Sequence, residues 1–214
     1  MSEVVAAFDF DGTLTVRDCV RPFLERIGGR RSLIAAAGRR PGAACVAAIR
    51  RDRDALKEVF VGGVYRNRRV DAVAALGCSF ANEIAERLMR DDTLQRLRWH
   101  QRMQHRVVVV SASLASYLVP LAARLGVDDV LCTDVATDHR TGGAVYVDRL
   151  LGPNCRAAEK AVRLRRWFDL EGLDGPELWA YGDSRGDLEL LGMAHHAVWV
   201  HDAVIDAAPH GAST

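Results

Sequence analysis

The chain has 214 residues, of which 49% are hydrophobic and 27% are charged, and its formal net charge is +1. This composition is typical of an ordinary soluble globular protein and argues against a disordered or fibrous chain. No apolar run approaches the ~20 residues that span a bilayer, and no basic, apolar leader precedes the first predicted strand, so we expect a cytoplasmic protein. The five cysteines are scattered without a C-x-x-C pair, which favours reduced, structural thiols.

The first predicted strand covers residues 4–8 and stops at two aspartates, Asp9 and Asp11. Its sequence, VVAAF, lacks the alternation of a half-exposed strand, so we expect a central parallel strand buried on both faces. Alternation places the two carboxylates on the same side of the backbone. Because ligands of open α/β sheets bind beyond the carboxyl ends of the strands, Asp9 and Asp11 are the candidate catalytic pair. The alternative is a simple Asp-rich turn before Gly12.

Residues 17–106 differ from the rest of the chain in both charge and pattern. They carry 20 Lys and Arg against 10 Asp and Glu, whereas the remainder carries 9 against 18. Their apolar residues recur at helical spacing, as in the stripe of Leu56, Val59 and Phe60. We therefore predict a helical cap over 17–106, inserted into a core of residues 1–16 and 107–214. Its basic charge could steer anionic substrates or simply lie on solvated faces.

A second buried strand is predicted over residues 106–113, and it ends in serines. We expect Ser113 to cap the helix that follows. Ser111 lies at the strand end, where its hydroxyl and neighbouring backbone N–H groups, such as that of Ala112, could hold a phosphate oxygen. The alternative is that both serines are only caps. A short third strand at 130–133 is followed by a predicted hairpin over 135–147, on the edge of the core.

Two later segments add a lysine and two more aspartates. Lys160 lies in the first turns of a helix predicted over 156–169, where the helix dipole disfavours a cation unless it faces an anion. A strand then leads into G-D-S-R-G-D at residues 182–187. Asp187 fits a capping box with Ser184, whereas Asp183 stands at the strand end without an evident structural need.

The four motifs together resemble those of the haloacid dehalogenase superfamily of phosphatases. They are D-x-D-G-T at 9–13, Ser111, Lys160 and G-D-S-x-x-D at 182–187, in the same order and at similar separations. The resemblance covers nearly the whole chain and looks closest to subfamily IB, the branch that contains phosphoserine phosphatase. The G-P-N-C stretch at 152–155 is similar to loosely characterised members of that branch. The resemblance implies an α/β fold, with a three-layer, Rossmann-like parallel-sheet core and an inserted helical cap domain.

The resemblance also implies roles for the motif residues. Asp9 would be the nucleophile that forms an aspartyl-phosphate, and Asp11 would be the general acid and base. The second aspartate favours phosphate esters, because a halide leaving group needs no acid. The expected cofactor is Mg²⁺, which prefers oxygen ligands. Its ligands would be the carboxylates of Asp9 and Asp183 and the backbone carbonyl of Asp11, with Asp187 binding directly or through water.

Phosphate oxygens would be held by Ser111, Lys160 and backbone N–H groups near Gly12 and Ala112. Asp18 stands where phosphoserine phosphatase has a glutamate that grips the amino acid. The sequence leaves open which basic side chain of the cap faces the site, and the candidates are Arg50, Arg51, Arg53, Arg66, Arg68 and Arg69. We expect a small phosphorylated metabolite as the partner and no nucleic acid, and the sequence does not indicate the oligomeric state.

Two alternatives remain open at this stage. The first is a phosphatase of a lipid or another larger anionic phosphate, with the basic cap as its binding surface. The second is a non-catalytic phosphate-binding or signalling module, such as a receiver domain. A receiver domain has neither a helical insert after its first strand nor a second acidic pair.

Overall fold

The computed structural model describes residues 3–140, 142–200 and 204–209. Its strands are β1 (Val4–Phe8), β2 (Arg106–Leu114), β3 (Asp129–Thr133), β4 (Val135–Arg140), β5 (Gly143–Leu150), β6 (Glu177–Gly182) and β7 (His196–Trp199). Its helices are α1 (Val20–Arg39), α2 (Pro41–Arg50), α3 (Arg53–Tyr65), α4 (Val70–Arg87), α5 (Asp91–Arg102), α6 (Ala115–Leu125), α7 (Ala158–Glu171) and α8 (Leu188–Leu191). Within the described residues, five strands form one parallel sheet in the order β3-β2-β1-β6-β7.

Strand β1 lies in the middle of this sheet and is buried on both faces, as its unbroken apolar sequence predicts. Ala6 and Phe8 pack into the hydrophobic core on one face, whereas Val5 and Ala7 pack into the core on the other. All four side chains are fully buried. A parallel strand with both faces covered requires a continuous apolar run, and the run ends where the site begins.

Helices cover both faces of the sheet and give the molecule three layers. On one face, α5 and α6 contribute Leu97, Tyr117 and Leu121 to the core. On the other face, α7 and α8 contribute Leu164 and Leu191. This arrangement confirms the predicted three-layer, Rossmann-like α/β fold class.

Helices α1 to α4 occupy the segment between β1 and α5 and form the helical insert. Helix α1 is broken at Gly29, whose φ of 72° and ψ of 168° are not helical and which glycine adopts at little steric cost. Helix α3 packs against both α1 and α2, and α4 packs against α6 of the core. The insert thus stands over one end of the sheet.

The hairpin of β4 and β5 belongs with this insert and not with the edge of the core, so the predicted location was wrong. The two strands pair in a separate antiparallel sheet and pack against α3. Backbone hydrogen bonds of 2.9 Å join Asn67 and Arg68 to Tyr146, and the rings of Tyr65 and Tyr146 meet edge to face at 4.8 Å. The hairpin therefore packs on the insert.

Helix α5 lies within the segment 17–106 but packs on the sheet. The rings of Trp99 and His100 contact Trp179 of β6, and Leu97 is fully buried in the core. We therefore propose that the cap consists of α1–α4 and the hairpin, and that α5 belongs to the core. No helix in the described ranges is long and apolar enough to cross a lipid bilayer.

Candidate active site

The predicted site residues come together beyond the carboxyl ends of β1, β2 and β6. A cavity of about 720 Å³ lies between the strand ends and the cap. The predicted residues that line it are Asp9, Asp11, Asp18, Ser111, Ala112, Lys160 and Asp187. Gly12 and Asp183 are not among the described residues that line it. Gly12 lies in the turn after Asp9, and Asp183 is connected to Asp9 through the Thr13 hydroxyl.

Asp9 is buried at the inner end of the cavity, where one carboxylate oxygen accepts a hydrogen bond from Lys160 Nζ. The other oxygen lies 3.4 Å from the Thr13 hydroxyl. Burial raises the pKa of Asp9 to about 6, although the charge of Lys160 opposes this rise. The backbone N–H of Asp9 bonds to the carbonyl of Tyr181 at 2.9 Å, so the sheet ladder itself fixes its position.

Lys160 also bonds to Asp187, with 2.5 Å between Nζ and the Asp187 carboxylate. It is 2% exposed. Burial alone would lower the pKa of Lys160, but the charges of Asp9 and Asp187 outweigh burial and raise it. The cation near the start of α7 therefore faces two anions, which is the condition under which its position near a helix N-terminus is acceptable.

Three carboxylates, those of Asp9, Asp183 and Asp187, form an acidic cluster with oxygen atoms within 4.8 Å of one another. Lys160 is the cation that contacts two of them, so the ionised cluster would keep excess negative charge. Burial of such charge is costly without a counter-ion. Converging carboxylate oxygens that carry excess negative charge fit a hard divalent cation such as Mg²⁺.

Gly12 makes room for one member of this cluster. Its φ of +85° lies in the left-handed region, and a Cβ added there would come within 2.3 Å of Asp183 Oδ2. The Thr13 hydroxyl lies 3.4 Å from the other Asp183 oxygen. The glycine of the first motif therefore permits the turn and the close approach of β1 to the loop after β6.

Asp187 caps the short 3₁₀ helix Arg185–Asp187 and also lines the cavity. The Ser184 side chain accepts from Gly186 N–H, and Asp187 Oδ2 accepts from the Ser184 N–H at 3.0 Å and the Ser184 hydroxyl at 2.9 Å. Its other oxygen accepts from Lys160. The capping box thus orients a carboxylate that faces the cavity.

Asp11 is held by two hydrogen bonds that leave it beside the cavity. One oxygen accepts from the Cys19 N–H at 2.8 Å, and the other accepts from the Ser113 hydroxyl. Burial, followed by the charge of Asp18, raises the pKa of Asp11 to about 7. A carboxylic acid with this pKa is part protonated at neutral pH and can donate a proton.

The prediction that Ser113 caps the following helix was wrong. Helix α6 begins after Leu114, whose side chain makes no cap hydrogen bond, and Ser113 instead bonds to Asp11. The Ser113 hydroxyl also accepts from Tyr117 OH at 2.8 Å, and its N–H donates to Ser111 Oγ at 3.1 Å. The strand-end serines are therefore connected to Asp11.

Lys57 is a site residue that the sequence analysis missed. Its Nζ donates to the carbonyl of Ala112 and, at 2.8 Å, to the side-chain oxygen of Asn154. Asn154 in turn donates to Asp54 at 2.6 Å. Burial lowers the pKa of Lys57 to about 8. Lys57 and Lys160 are the two lysines of the sequence, and both line the cavity.

The cap contributes an apolar wall to the cavity. Its members are Val20, Leu24, Leu33, Leu56, Phe60 and Val61, and they come from α1 and α3. Of the six candidate arginines of the cap, Arg53 lines the cavity, and so does Arg21, which lies outside that set. The cap side of the cavity is therefore largely hydrophobic, with a few basic groups and the acidic groups of Asp18 and Asp54.

Residues 6–192 match the family described as haloacid dehalogenase-like hydrolase. The chain belongs to this family, which confirms the resemblance inferred from its four motifs. It is 34% identical over 193 residues to Protein CicA of Caulobacter vibrioides, and this match covers 89% of this chain and 83% of the relative.

Solved structures share the fold at lower identity. A Bordetella pertussis Tohama I protein, described as having unknown function, is 24% identical with a TM-score of 0.70, and the match covers 90% of this chain and 87% of that one. A phosphoserine phosphatase solved as a phospho-aspartyl intermediate analogue is 15% identical with a TM-score of 0.58, over 91% of this chain and 84% of that one.

Proposed function

We propose that this hydrolase is a Mg²⁺-dependent phosphomonoesterase that forms an aspartyl-phosphate on Asp9. The observation that carries the proposal is the arrangement of Asp9 at the inner end of the cavity, hydrogen-bonded to Lys160 and two residues from Asp11. A carboxylate nucleophile and an anionic phosphate repel each other, so a site for this reaction needs nearby positive charge. Lys160 supplies part of it.

The acidic cluster of Asp9, Asp183 and Asp187 would hold the Mg²⁺ ion, together with the backbone carbonyl of Asp11. Two observations support this site: three carboxylates converge there, and Lys160 alone does not neutralise their negative charge. When bound, the ion would neutralise charge on the transferring phosphoryl group. Thr13 contacts Asp183, and the absence of a Cβ at Gly12 leaves room for the Asp183 carboxylate beside Asp9.

The reaction proceeds in two displacements. Asp9 attacks phosphorus, the bond from phosphorus to the ester oxygen breaks, and Asp11 gives its proton to the departing alkoxide. Water then attacks phosphorus while Asp11 takes one of the protons of the water, and the bond from phosphorus to the Asp9 oxygen breaks. Phosphate leaves, Asp9 is again a free carboxylate and Asp11 is again protonated. Ser111, Lys160 and backbone N–H groups at Gly12 and Ala112 bind the phosphoryl oxygens.

The substrate proposed first is a small phosphorylated metabolite, in keeping with the phosphoserine phosphatases that share the fold. Asp18 lines the cavity and would contact the part of the substrate beyond the phosphate. The apolar wall favours a second candidate, a lipid phosphate or another larger phosphate ester with an apolar body. A non-catalytic signalling module is less favoured, because it would not need Asp183 and Asp187 beside Asp9.

The test is phosphate release from phosphoserine, histidinol phosphate, sugar phosphates, nucleotides and lysophosphatidate, with and without Mg²⁺. We expect turnover that requires Mg²⁺ and that falls below detection in Asp9→Asn, because the amide cannot attack phosphorus. The control is Arg53→Gln, which changes a cap residue that lines the cavity but has no role in the proposed chemistry, and it should alter KM more than kcat. Full activity of Asp9→Asn would refute the assignment.

A further inference from the structure

The cap carries an exposed face that the proposed reaction does not use. It is formed by the half of α1 after the break at Gly29 and by α2. Residues 30–53 contain seven arginines and a single acidic residue, Asp52. We call this surface the α1–α2 face, and its members are Arg31, Ile34, Ala35, Val46, Ile49, Arg50 and Arg51, all exposed.

Large aliphatic side chains on this face point into solvent. Ile34 is 74% exposed, Val46 is 49% exposed and Ile49 is 82% exposed. The sequence of α2, PGAACVAAIR, is apolar along most of its length, yet Ala47 is its buried residue. Residues three or four apart share a helix face, so Ile34 lies beside Arg31, and Val46 lies beside Ile49 and Arg50.

Three arginines of the face have no acidic partner among the described residues. In the described part of the chain, no carboxylate forms an ion pair with Arg31, Arg50 or Arg51. Arg30 and Arg40, by contrast, pair with Glu25 at 3.7 Å and Asp148 at 3.0 Å. The face therefore combines exposed aliphatic groups with uncompensated positive charge.

We propose that the α1–α2 face docks on the surface of an anionic lipid bilayer. A helix that presents aliphatic side chains flanked by arginines can insert the former into the headgroup boundary while the latter meet lipid phosphates. Single-stranded nucleic acid would be better served by aromatic side chains on which bases stack. Residues 30–53 contain no aromatic residue, so charge and side-chain type together favour lipid.

The face is continuous with the wall of the cavity. Leu33, which precedes Ile34 in α1, lines the cavity, and so do Leu56 and Phe60 of α3, the helix on which α2 packs. Docking would therefore bring the apolar wall close to the membrane. The binding itself does not depend on phosphatase activity, and the two can be measured separately.

The experiment measures sedimentation of the full chain with large vesicles. We expect binding to vesicles of phosphatidylcholine mixed with phosphatidylglycerol, little binding to phosphatidylcholine alone, and release by added salt. Ile34→Ser/Val46→Ser/Ile49→Ser and Arg50→Gln/Arg51→Gln should each weaken binding about tenfold or more. The matched controls are Val162→Ser/Leu170→Ser and Arg165→Gln/Arg166→Gln, which change similarly exposed residues of α7 in the core and should bind as the unaltered protein does.

Some results would overturn the proposal. One is no binding to the anionic vesicles, and another is equal weakening by the face and control variants. Tighter binding to single-stranded DNA than to the vesicles, lost in the same arginine variant, would assign the face to nucleic acid instead. Hydrolysis of p-nitrophenyl phosphate by every variant checks folding, and vesicle binding without any hydrolysis would refute the proposed function while leaving the docking surface intact.

Discussion

At the scale of single residues, the side chains around Asp11 set how well it can act as an acid. The Ser113 hydroxyl donates to one oxygen of Asp11, and Tyr117 OH donates to Ser113. The Cys19 N–H fixes the other oxygen. Asp11 therefore cannot rotate freely, and Ser113 is a positioning residue for the proton donor.

We expect Ser113→Ala to lower kcat/KM about tenfold for an alkyl phosphate, because an unrestrained acid loses part of the 10²- to 10⁴-fold benefit of a positioned one. The kcat/KM for p-nitrophenyl phosphate, which covers the steps up to loss of the leaving group, should change little, since nitrophenolate leaves without protonation. Steady-state kinetics on the two substrates measure this difference. Ser116→Ala, which removes a hydroxyl bonded to Tyr65 at 3.0 Å, is the control. Equal losses on both substrates would contradict the positioning role.

A second residue-scale prediction concerns Gly12. A methyl group at this position would collide with Asp183 Oδ2, so Gly12→Ala should weaken Mg²⁺ activation by about tenfold, measured as the half-saturating Mg²⁺ concentration. The strain of a positive φ alone costs of the order of 1 kcal/mol. Gly172→Ala, with a φ of +67° and open space around its Cβ position, carries that strain without the collision. If both variants need the same extra Mg²⁺, steric displacement of Asp183 is not the cause.

The sequence indicates residues at strand ends better than residues that act through distant contacts. Asp9, Asp11 and Asp183 follow buried apolar runs, and parallel strands bring their ends to one edge. Ser113 fits a cap position equally well, and only its contact with Asp11, 102 residues away, reveals another role. Lys57 is one basic residue among many in its segment, so its location at the site could not be inferred.

At the scale of elements, the contact between α5 and β6 contains a buried histidine. His100 is fully buried, with Nε2 2.7 Å from Tyr181 OH and Nδ1 2.8 Å from His105 Nδ1. Burial, together with the neighbouring His105 and Arg96, lowers the pKa of His100 to about 3. At neutral pH, His100 therefore packs between α5 and the sheet as a neutral imidazole.

This pKa makes the stability of the fold depend on pH. A histidine in the unfolded chain takes up a proton near its ordinary pKa of 6.5, whereas folded His100 does not. The contribution of neutral His100 to the free energy of unfolding is complete above pH 6.5. It is lost as the pH falls toward 3, by up to ~1.4 kcal/mol per pH unit. Urea unfolding between pH 7 and pH 5 measures the loss. His100→Asn should flatten the curve, whereas the exposed His139→Gln should leave it unchanged; parallel curves for all three proteins would contradict the prediction.

Elements with a clear hydrophobic pattern could be predicted from the sequence, whereas the surfaces on which they pack were harder to predict. The unbroken runs of β1 and β2 identify central strands, because sheet strands covered on both faces leave no polar position. The hairpin of β4 and β5 has the sequence of an edge hairpin, yet Tyr146 packs on Tyr65 of the cap. A residue pattern indicates that one face must be buried but not which surface buries it.

At the scale of the whole molecule, the split in charge corresponds to a split in structure. The basic segment forms α1 to α5, whereas the acidic remainder forms the hairpin and most of the core and carries Asp9, Asp11, Asp183 and Asp187. Lys57 is one of the cap residues that contact the core, where it bonds to Ala112 and Asn154. The sequence indicates this division through charge counts and helical spacing, but it does not indicate that Lys57 contacts the core.

Because Lys57 and Lys160 are the sequence's two lysines and both lie in the cavity, amine chemistry becomes a selective reporter of the site. At pH 7 an amine with a pKa of about 8 is roughly one-tenth neutral, and an ordinary lysine amine is neutral about once in a few thousand molecules. A limiting acylating reagent should therefore modify Lys57 ahead of Lys160, with the terminal amine as a competitor. Peptide mass spectrometry would reveal the modified residue, and a bound phosphate ester should slow the reaction at Lys57. Dominant labelling of Lys160 would contradict the ordering. Apart from the terminal amine, the amines that immobilisation or dye attachment would target in this arginine-rich chain therefore lie in the cavity.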